Sequence, residues 1–231
     1  MDVPPPIWIR GAGGDGCGDS GGDGNNRRGL CRHNAVVLDM QCFKNDNNEF
    51  ILKEVSVVDV SSGTLLLHHI AWPPFARDTL SEEKLRESYW ATKHCHGIAW
   101  EYGDIPYHVL LDKLRSCIRY RPVVYVKGAE KRDFIRRHLI TDHCNTIAIN
   151  LADLGCASLS STSGLLSNRA VRCGKHKSTS SRCALQNCIV LRDWILLTTT
   201  DSAVNDCTEC YCCSSIDCHA SSSSSPLSSS L

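Results

Sequence analysis

Asp39 and Gln41 are the residues best placed to do chemistry, near the end of the apolar run 35–43. This run predicts a buried strand, and residues i and i+2 of a strand point to the same face. Two carboxylates at this spacing would clamp a divalent cation, because Mg²⁺ and Mn²⁺ prefer carboxylate oxygens. Here an amide stands at the second position, so the pair predicts a weakened site in which Asp39 is the metal ligand.

Cysteine and histidine side chains, the usual zinc ligands, occur together at two places in the middle of the sequence. These are His94, Cys95 and His96, and further along His143, Cys144 and Cys156. Neither place contains a Cys-x-x-Cys hook. We therefore interpret His96 as a turn residue and not as a zinc ligand.

A Cys-x-x-Cys hook does lie near the end of the sequence, at Cys207 and Cys210. Further candidate ligands follow it at Cys212, Cys213, Cys218 and His219. This stretch lacks the apolar residues that would fold around a metal, and a serine-rich segment follows it. A disordered tail is the favoured interpretation, and zinc at Cys207 and Cys210 is not expected.

Basic residues cluster around one predicted helix, at Lys127, Lys131, Arg132, Arg136 and Arg137. Such a cluster is typical of a surface that contacts the phosphates of a nucleic acid. It is also typical of a solvated helix face. Both interpretations stay open on the sequence alone.

The composition is that of an ordinary globular protein of 231 residues, with a formal net charge of zero and 15 cysteines. No apolar run approaches the roughly 18 residues that span a membrane, and residues 1–10 lack the basic and apolar regions of a secretory leader. The odd number of cysteines, several of them in apolar segments, favours free thiols. We therefore expect an intracellular protein, cytoplasmic or nuclear.

The order of apolar patterns predicts an α/β domain over residues 33–198. Strands are predicted at 35–43, 49–60, 64–71, 122–126 and 146–150, and helices at 81–90, 106–119, 130–139 and 183–197. Residues 158–181 are predicted to be a loop. Residues 1–32 and 199–231 are predicted to be disordered tails. Three strands followed by alternating helices and strands give a mixed five-stranded sheet flanked by helices.

The order of segments resembles the ribonuclease H-like 3′–5′ exonucleases of the DEDDh type, over about residues 35–197. Residues 37–41 are similar to the family's first motif, two apolar residues and Asp-x-Glu. Residues 96–98 are similar to its His-Gly-Ile-Thr segment, and residues 123–135 to its second motif. Residues 182–188 are similar to its third motif, His-x-Ala-x-x-Asp-Ala. Glu54 falls where the family's second strand often carries a glutamate.

The resemblance implies a centre of four acids that hold two Mg²⁺ or Mn²⁺ ions, with a histidine as general base. Asp39 stands at the first acid position. The other catalytic positions carry different residue types: Gln41, Lys131 and Asn187 replace the acids, and Arg182 replaces the histidine. One carboxylate among amides and cations cannot neutralise two divalent ions.

The sequence therefore predicts a degenerate exonuclease-like domain, catalytically weak or inactive. The resemblance implies single-stranded nucleic acid as a partner, with a protein partner as the alternative and no membrane. Lys127, Arg132, Arg136 and Arg137 are the candidate nucleic-acid contacts.

Two other functions stay open on the sequence alone. In one, the domain is an active metal-dependent exonuclease whose missing acids come from Glu130, Asp133 or Asp193. In the other, it is a non-enzymatic scaffold or a mobile-element remnant. If the resemblance holds, Asp39, Gln41 and Asn187 lie in one pocket at the edge of the sheet.

Overall fold

The computed structural model describes residue 30 and residues 32–140, 145–166, 172–176 and 182–199. Most of the predicted tails 1–32 and 199–231 lies outside these ranges, as do the hook at Cys207 and Cys210 and the pair His143 and Cys144. No helix within the described ranges is both long enough and apolar enough to cross a membrane.

A mixed five-stranded sheet forms the centre of the described domain, with the strand order β3-β2-β1-β4-β5. The strands are β1 Ala35–Lys44, β2 Phe50–Asp59, β3 Leu65–Ile70, β4 Val123–Val126 and β5 Ile147–Asn150. β2 is antiparallel to β1 and to β3, whereas β1, β4 and β5 are parallel. The sheet and its flanking helices confirm the predicted fold class, an α/β domain with a mixed five-stranded sheet.

The α-helices of the described part are α1 Glu82–His94, α2 Tyr107–Ile118, α3 Ala129–His138, α4 Leu159–Leu166 and α5 Ala184–Thr198. α1 begins after Ser81, whose hydroxyl accepts a hydrogen bond from the backbone of Lys84, the expected role of an N-cap serine. α1 continues to His94, four residues beyond the predicted end.

Different helices cover the two faces of the sheet, because alternate residues of a strand point to opposite sides. Ala35 and Val37 of β1 pack in the same core as the buried residues of α5. Val36 and Leu38 pack in the core that α2 and α3 complete. By this alternation Asp39 lies on the α5 side of the sheet.

The predicted loop 158–181 is wrong in part, because it contains helix α4 at Leu159–Leu166. The hydroxyl of Ser158 accepts from the backbone of Ser161 at 3.2 Å, and the hydroxyl of Thr162 donates to the Ser158 carbonyl at 2.9 Å. Serine and threonine favour helix starts as well as loops, so their abundance is not by itself a loop signal. Residues 167–171 and 177–181 lie outside the described part.

Candidate functional site

Asp39 is completely buried on β1 beneath α5. The pairing of β1 with β2 shifts register between Gln41 and Cys42. Gln41, two residues after Asp39, still points to the same side, and its Nε2 lies 3.4 Å from Oδ2 of Asp39. The local strand geometry therefore brings these two side chains together.

Two further side chains reach Asp39 from the helices. The ammonium of Lys131, in the first turn of α3, forms an ion pair with Oδ1. Nδ2 of Asn187, in the first turn of α5, donates to Oδ2 at 2.7 Å. Asp39, Gln41, Lys131 and Asn187 therefore converge, and we call them the Asp39 site.

The Asp39 site does not fit the pair of divalent cations that the resemblance implies. Both oxygens of its carboxylate already accept hydrogen bonds, and the Lys131 ammonium balances its charge. A divalent cation needs several free oxygen ligands, and the ammonium would repel it. The side chains of the Asp39 site therefore do not fit metal-dependent chemistry.

The acids that an active enzyme would need in place of the missing ones form ion pairs with neighbouring cations. Glu130 accepts from Lys44 at 3.0 Å, although its own side chain is 65% exposed. Asp133 pairs with Arg132 at 2.9 Å. Asp193 pairs with its neighbour Arg192 at 3.3 Å. In the hydrogen bonds and ion pairs of the described residues, none of the three acids contacts Asp39.

Arg182, which stands at the histidine position of the resemblance, is exposed. Its backbone N–H donates to the carbonyl of Cys95 at 2.7 Å. Among the contacts of the described residues, no hydrogen bond or ion pair joins its side chain to Asp39. Arg182 therefore does not form part of the Asp39 site.

The candidate nucleic-acid contacts lie on and before α3. Lys127 donates to the carbonyl of Cys156 at 2.5 Å, and Arg132 forms ion pairs with Asp133 and Asp153. Arg136 and Arg137 are exposed in the last turn of the helix. Arg136 and Arg137 are thus the more accessible of these cations, whereas Lys127 and Arg132 also hold neighbouring loops.

A second group of side chains, all of types that can bind a metal ion, lies beside the Asp39 site and was not predicted from the sequence. Its members are Glu54, Cys173, His176 and Cys183, whose candidate ligand atoms all lie within 4.8 Å of one another. Three atoms approach Oε1 of Glu54: His176 Nε2 at 3.2 Å, Cys173 Sγ at 3.5 Å and Cys183 Sγ at 3.6 Å. We call these four residues the Glu54 cluster.

The fold brings the Glu54 cluster together from three separate segments. Glu54 is fully buried on β2, opposite Gln41 of β1. Cys173 and His176 lie in the segment 172–176, and Cys183 precedes the first residue of α5. The backbone N–H of Ala184 donates to Oε2 of Glu54 at 3.0 Å. The same helix end therefore carries Cys183 to this cluster and Asn187 to the Asp39 site.

The titrating groups of the Glu54 cluster change one another's pKa. Burial would raise the pKa of Glu54, but hydrogen bonds from His176 and Ala184 hold it below its ordinary value. Burial would lower the pKa of His176, but hydrogen bonds to Cys183 and Glu54 raise it to about 10. Burial would also raise the pKa of Cys183, yet the bond to His176 lowers it overall. For Cys173, burial dominates and raises the pKa to about 12.

The donor set of the Glu54 cluster fits Zn²⁺. Two thiols, one imidazole and one carboxylate are the residue types that zinc takes, four to a site, whereas Mg²⁺ would prefer oxygen ligands alone. Nδ1 of His176 contacts the carbonyl of His96. This is the outer contact that commonly orients a zinc-ligating imidazole and leaves the other nitrogen to the metal.

The sequence carries only a short local signal of this cluster, Cys-Gly-Lys-His at 173–176. Its other members are Glu54, more than a hundred residues earlier, and Cys183, so only the fold reveals the complete set. The interpretation of His96 as a turn residue agrees with its contacts, since Nδ1 of His96 accepts from the backbone of Ile98 at 3.2 Å. Its Nε2 has no partner among the described residues.

Two solved structures have a similar arrangement of the chain. The exonuclease domain of Mopeia virus, in a form depleted of manganese, has 12% identity and a TM-score of 0.42, covering 74% of this chain and 79% of that one. Exonuclease X, in complex with 5′-overhanging duplex DNA, has 15% identity and a TM-score of 0.47, covering 76% and 96%. No family model and no curated protein matches the sequence. At these identities the likeness concerns the fold, and the residues of this chain carry the functional assignment.

Proposed function

We propose that residues 33–198 form an exonuclease-like domain that is catalytically weak or inactive and that binds nucleic acid. The observation that carries the proposal is the occupied carboxylate of Asp39, which is bonded to Lys131 and Asn187. Two-metal hydrolysis needs carboxylates that are free to bind both ions. The Asp39 site provides a single carboxylate, and its charge is already balanced.

Nucleic acid is the proposed ligand because α3, the helix that carries Lys131 to the Asp39 site, also bears exposed arginines in its last turn. The Lys131 side chain is 23% exposed, and Arg136 and Arg137 lie exposed on the same helix. Phosphate groups bind such cations and release counterions, which makes the affinity fall with salt. Binding that uses lysine and arginine in this way needs no divalent metal.

A nuclease assay tests the catalytic half of the proposal. The full chain is incubated with single-stranded DNA and RNA in Mg²⁺ or Mn²⁺, next to Asp39→Ala. We expect no mononucleotide release above the level of the Asp39→Ala variant. Metal-dependent release that Asp39→Ala abolishes would establish the active enzyme instead.

Fluorescence anisotropy with labelled single strands tests the binding half. We expect binding that weakens with salt and is unchanged by EDTA. Arg136→Ala with Arg137→Ala should lower the salt slope by about 0.7 for each phosphate that these arginines neutralise in the parent. Arg86→Ala, an exposed arginine on α1, is the matched control. Absence of salt-dependent binding would favour the non-enzymatic scaffold.

A second function, zinc binding, is favoured by the Glu54 cluster. We infer that Glu54, Cys173, His176 and Cys183 hold one Zn²⁺ that ties the segment 172–176 and the start of α5 to β2. The observation behind this is the approach of all four donor atoms to within 4.8 Å. Such a site would contribute directly to folding stability, because the unfolded chain has no preformed set of ligands.

Metal analysis of the purified full chain tests zinc binding and separates the two candidate ligand sets. We expect stoichiometric zinc that is lost in Cys173→Ser and in His176→Gln and kept in Cys117→Ser, a cysteine on α2. Zinc that survives Cys173→Ser but disappears in Cys207→Ser with Cys210→Ser would assign it to the C-terminal hook. A metal-free chain would refute the assignment.

A further inference from the structure

The two sulfur atoms of the Glu54 cluster are close enough to react with each other. Both approach the same oxygen of Glu54, Cys173 at 3.5 Å and Cys183 at 3.6 Å, and they lie within 4.8 Å of each other. A disulfide needs an S–S distance of about 2.0 Å, so a small side-chain movement would close the bond. Cysteines of the described part, including these two, are free thiols.

We propose that Cys173 and Cys183 form a peroxide-sensitive switch in which a disulfide between them replaces the zinc ion. The inference rests on the proposed zinc binding and adds its regulation. Zinc needs thiolate ligands, and a disulfide provides neither of the two. Zinc binding and the disulfide are therefore mutually exclusive states of the same four residues.

The reaction balances with hydrogen peroxide as the oxidant. The sulfur of one cysteine attacks a peroxide oxygen, so that an S–O bond forms, the O–O bond breaks and one water leaves after protonation. The sulfur of the other cysteine attacks the resulting sulfenic acid, so that the S–S bond forms, the S–O bond breaks and a second water leaves. In total the two zinc-bound thiolates give two electrons to peroxide, solvent supplies the two protons that complete the two waters, and Zn²⁺ is released.

Access for the oxidant differs between the two cysteines. Cys173 is only partly buried, whereas Cys183 is completely buried. In the zinc-bound state both sulfurs are thiolates, so access decides the order. Cys173 is expected to be oxidised first, and Cys183 then attacks it as the resolving cysteine. Cys156 and Cys188 are buried outside the Glu54 cluster and should stay reduced.

The disulfide would change what holds the segment 172–176 in place. In the reduced protein, Glu54 contacts both cysteines and His176. After oxidation the covalent bond ties the segment to the start of α5, while Glu54 and His176 lose the shared ion. The bond to Ala184 N at 3.0 Å, on the other oxygen of Glu54, does not involve a sulfur and should persist.

The test uses the full chain after its zinc content has been measured, so that failure of zinc binding is seen before any peroxide is added. Hydrogen peroxide is then titrated in, zinc release is followed with a chromogenic chelator, and the disulfide is mapped by tryptic mass spectrometry. Cleavage after Arg172, Lys175 and Arg182 gives the fragments 173–175 and 183–192. Fragmentation of the second one distinguishes Cys183 from Cys188.

We expect one zinc ion to be released per chain, in proportion to the disulfide formed between Cys173 and Cys183. A phosphine reductant with added zinc should reverse both changes. His176→Gln, which keeps both thiols, should form the bridge without holding zinc. Cys183→Ser should form no bridge, and Cys117→Ser should behave as the parent does. Zinc that leaves without this bridge, a bridge between other cysteines, or a site that keeps its zinc in peroxide would overturn the switch.

Discussion

The Asp39 carboxylate is completely buried, and a buried charge needs a partner inside the protein. In metal-dependent hydrolases that partner is the metal ion. Here Lys131 provides the positive charge, with amides from Gln41 and Asn187 completing the contacts. The residue types predict the weakened metal site, because a cation and two amides cannot act as metal-binding acids, whereas the ion pair of Lys131 with Asp39 is seen only in the structure.

Removing the ammonium should expose how much the protein depends on this ion pair. We expect Lys131→Met to lower the free energy of unfolding by about 2–4 kcal/mol, because it leaves Asp39 buried without a counter-charge. The double variant Lys131→Met with Asp39→Asn should recover most of the lost free energy of unfolding. Urea denaturation measures both. Arg86→Met, on an exposed pair with Glu82, should cost under about 1 kcal/mol, and an equal cost for both single variants would contradict the account.

Lys53 is a buried lysine whose ammonium is bonded to backbone carbonyls. Lys53 is fully buried, and its ammonium donates to the carbonyls of Ala71, Trp100 and Tyr102. Burial lowers its pKa to about 8, although Glu101 and Asp104 oppose that change. At pH 6 the group is therefore charged, and it ties the loop after α1 to the sheet.

We expect Lys53→Met to destabilise the protein at pH 6 by about 2–3 kcal/mol, because the buried carbonyls lose their donor. Chemical denaturation measures the loss. Lys113→Met, at an exposed position of α2, is the control and should change stability by less than about 0.5 kcal/mol. Equal stability of Lys53→Met and the parent would show that water replaces the ammonium.

At the scale of elements, short apolar runs predict the strands, which are largely buried on both faces in β1, β2 and β4. The apolar 3–4 spacing predicts α2, which buries Leu110, Leu114 and Ile118. The sequence did not predict α4, whose serine-rich composition is shared by loops. It also did not predict the Glu54 cluster, because Glu54 and Cys173 meet only when β2 lies beside α5. Long-range proximity of this kind follows from the fold and not from local spacing.

The turn between β2 and β3 depends on Asp59. Its Oδ1 accepts from Ser61 and Ser62, and its Oδ2 accepts from Arg121 at 3.0 Å. Burial would raise the pKa of Asp59, but these hydrogen bonds and Arg121 hold it below its ordinary value. The folded state therefore favours the carboxylate, and the unfolded state binds more protons as the pH falls toward the ordinary pKa.

We expect Asp59→Asn to cost about 1–3 kcal/mol at neutral pH. The difference from the parent should begin to shrink as the pH falls below about 4, where the unfolded parent binds the proton first. It should disappear only below the lowered pKa of Asp59 in the folded state. Denaturation of parent and variant across this pH range measures the difference. Asp78→Asn, at an exposed position, should show no such convergence. A difference that stays constant with pH would mean that the carboxylate charge is not what stabilises the turn.

At the scale of the whole molecule, the described domain begins slightly before the predicted boundary at residue 33. Leu30 packs against the core beside α5. Arg32 donates to the carbonyl of Leu196 at 2.8 Å and also contacts Thr199. The domain boundaries themselves remain a prediction, and these contacts argue for including residues 30–32.

A fragment of residues 30–199 should therefore keep the thermal midpoint of the full chain. A shorter fragment, 34–199, should be less stable by about 1–2 kcal/mol because it lacks Leu30 and Arg32, which corresponds to about 2–4 °C for each kcal/mol. Circular dichroism melts compare the three chains. A fall of many degrees already in the fragment 30–199 would show that the terminal segments stabilise the domain.

We propose that the Asp39 site does not accept divalent metal, because Gln41, Lys131 and Asn187 stand where the resemblance places acids. The most direct test is the thermal midpoint of the parent and of the triple variant Gln41→Glu, Lys131→Asp and Asn187→Asp, each with EDTA and with Mn²⁺. Four carboxylates without metal repel one another, so the variant should melt below the parent in EDTA. Mn²⁺ that binds only the folded state should then raise the midpoint of the triple variant. At a hundredfold excess of metal over Kd, the added free energy of unfolding is about 2.7 kcal/mol. The parent, and the triple variant with Asp39→Asn added, should show no such gain. A folded triple variant without a metal-dependent shift, or a parent that gains as much, would contradict the assignment of these positions.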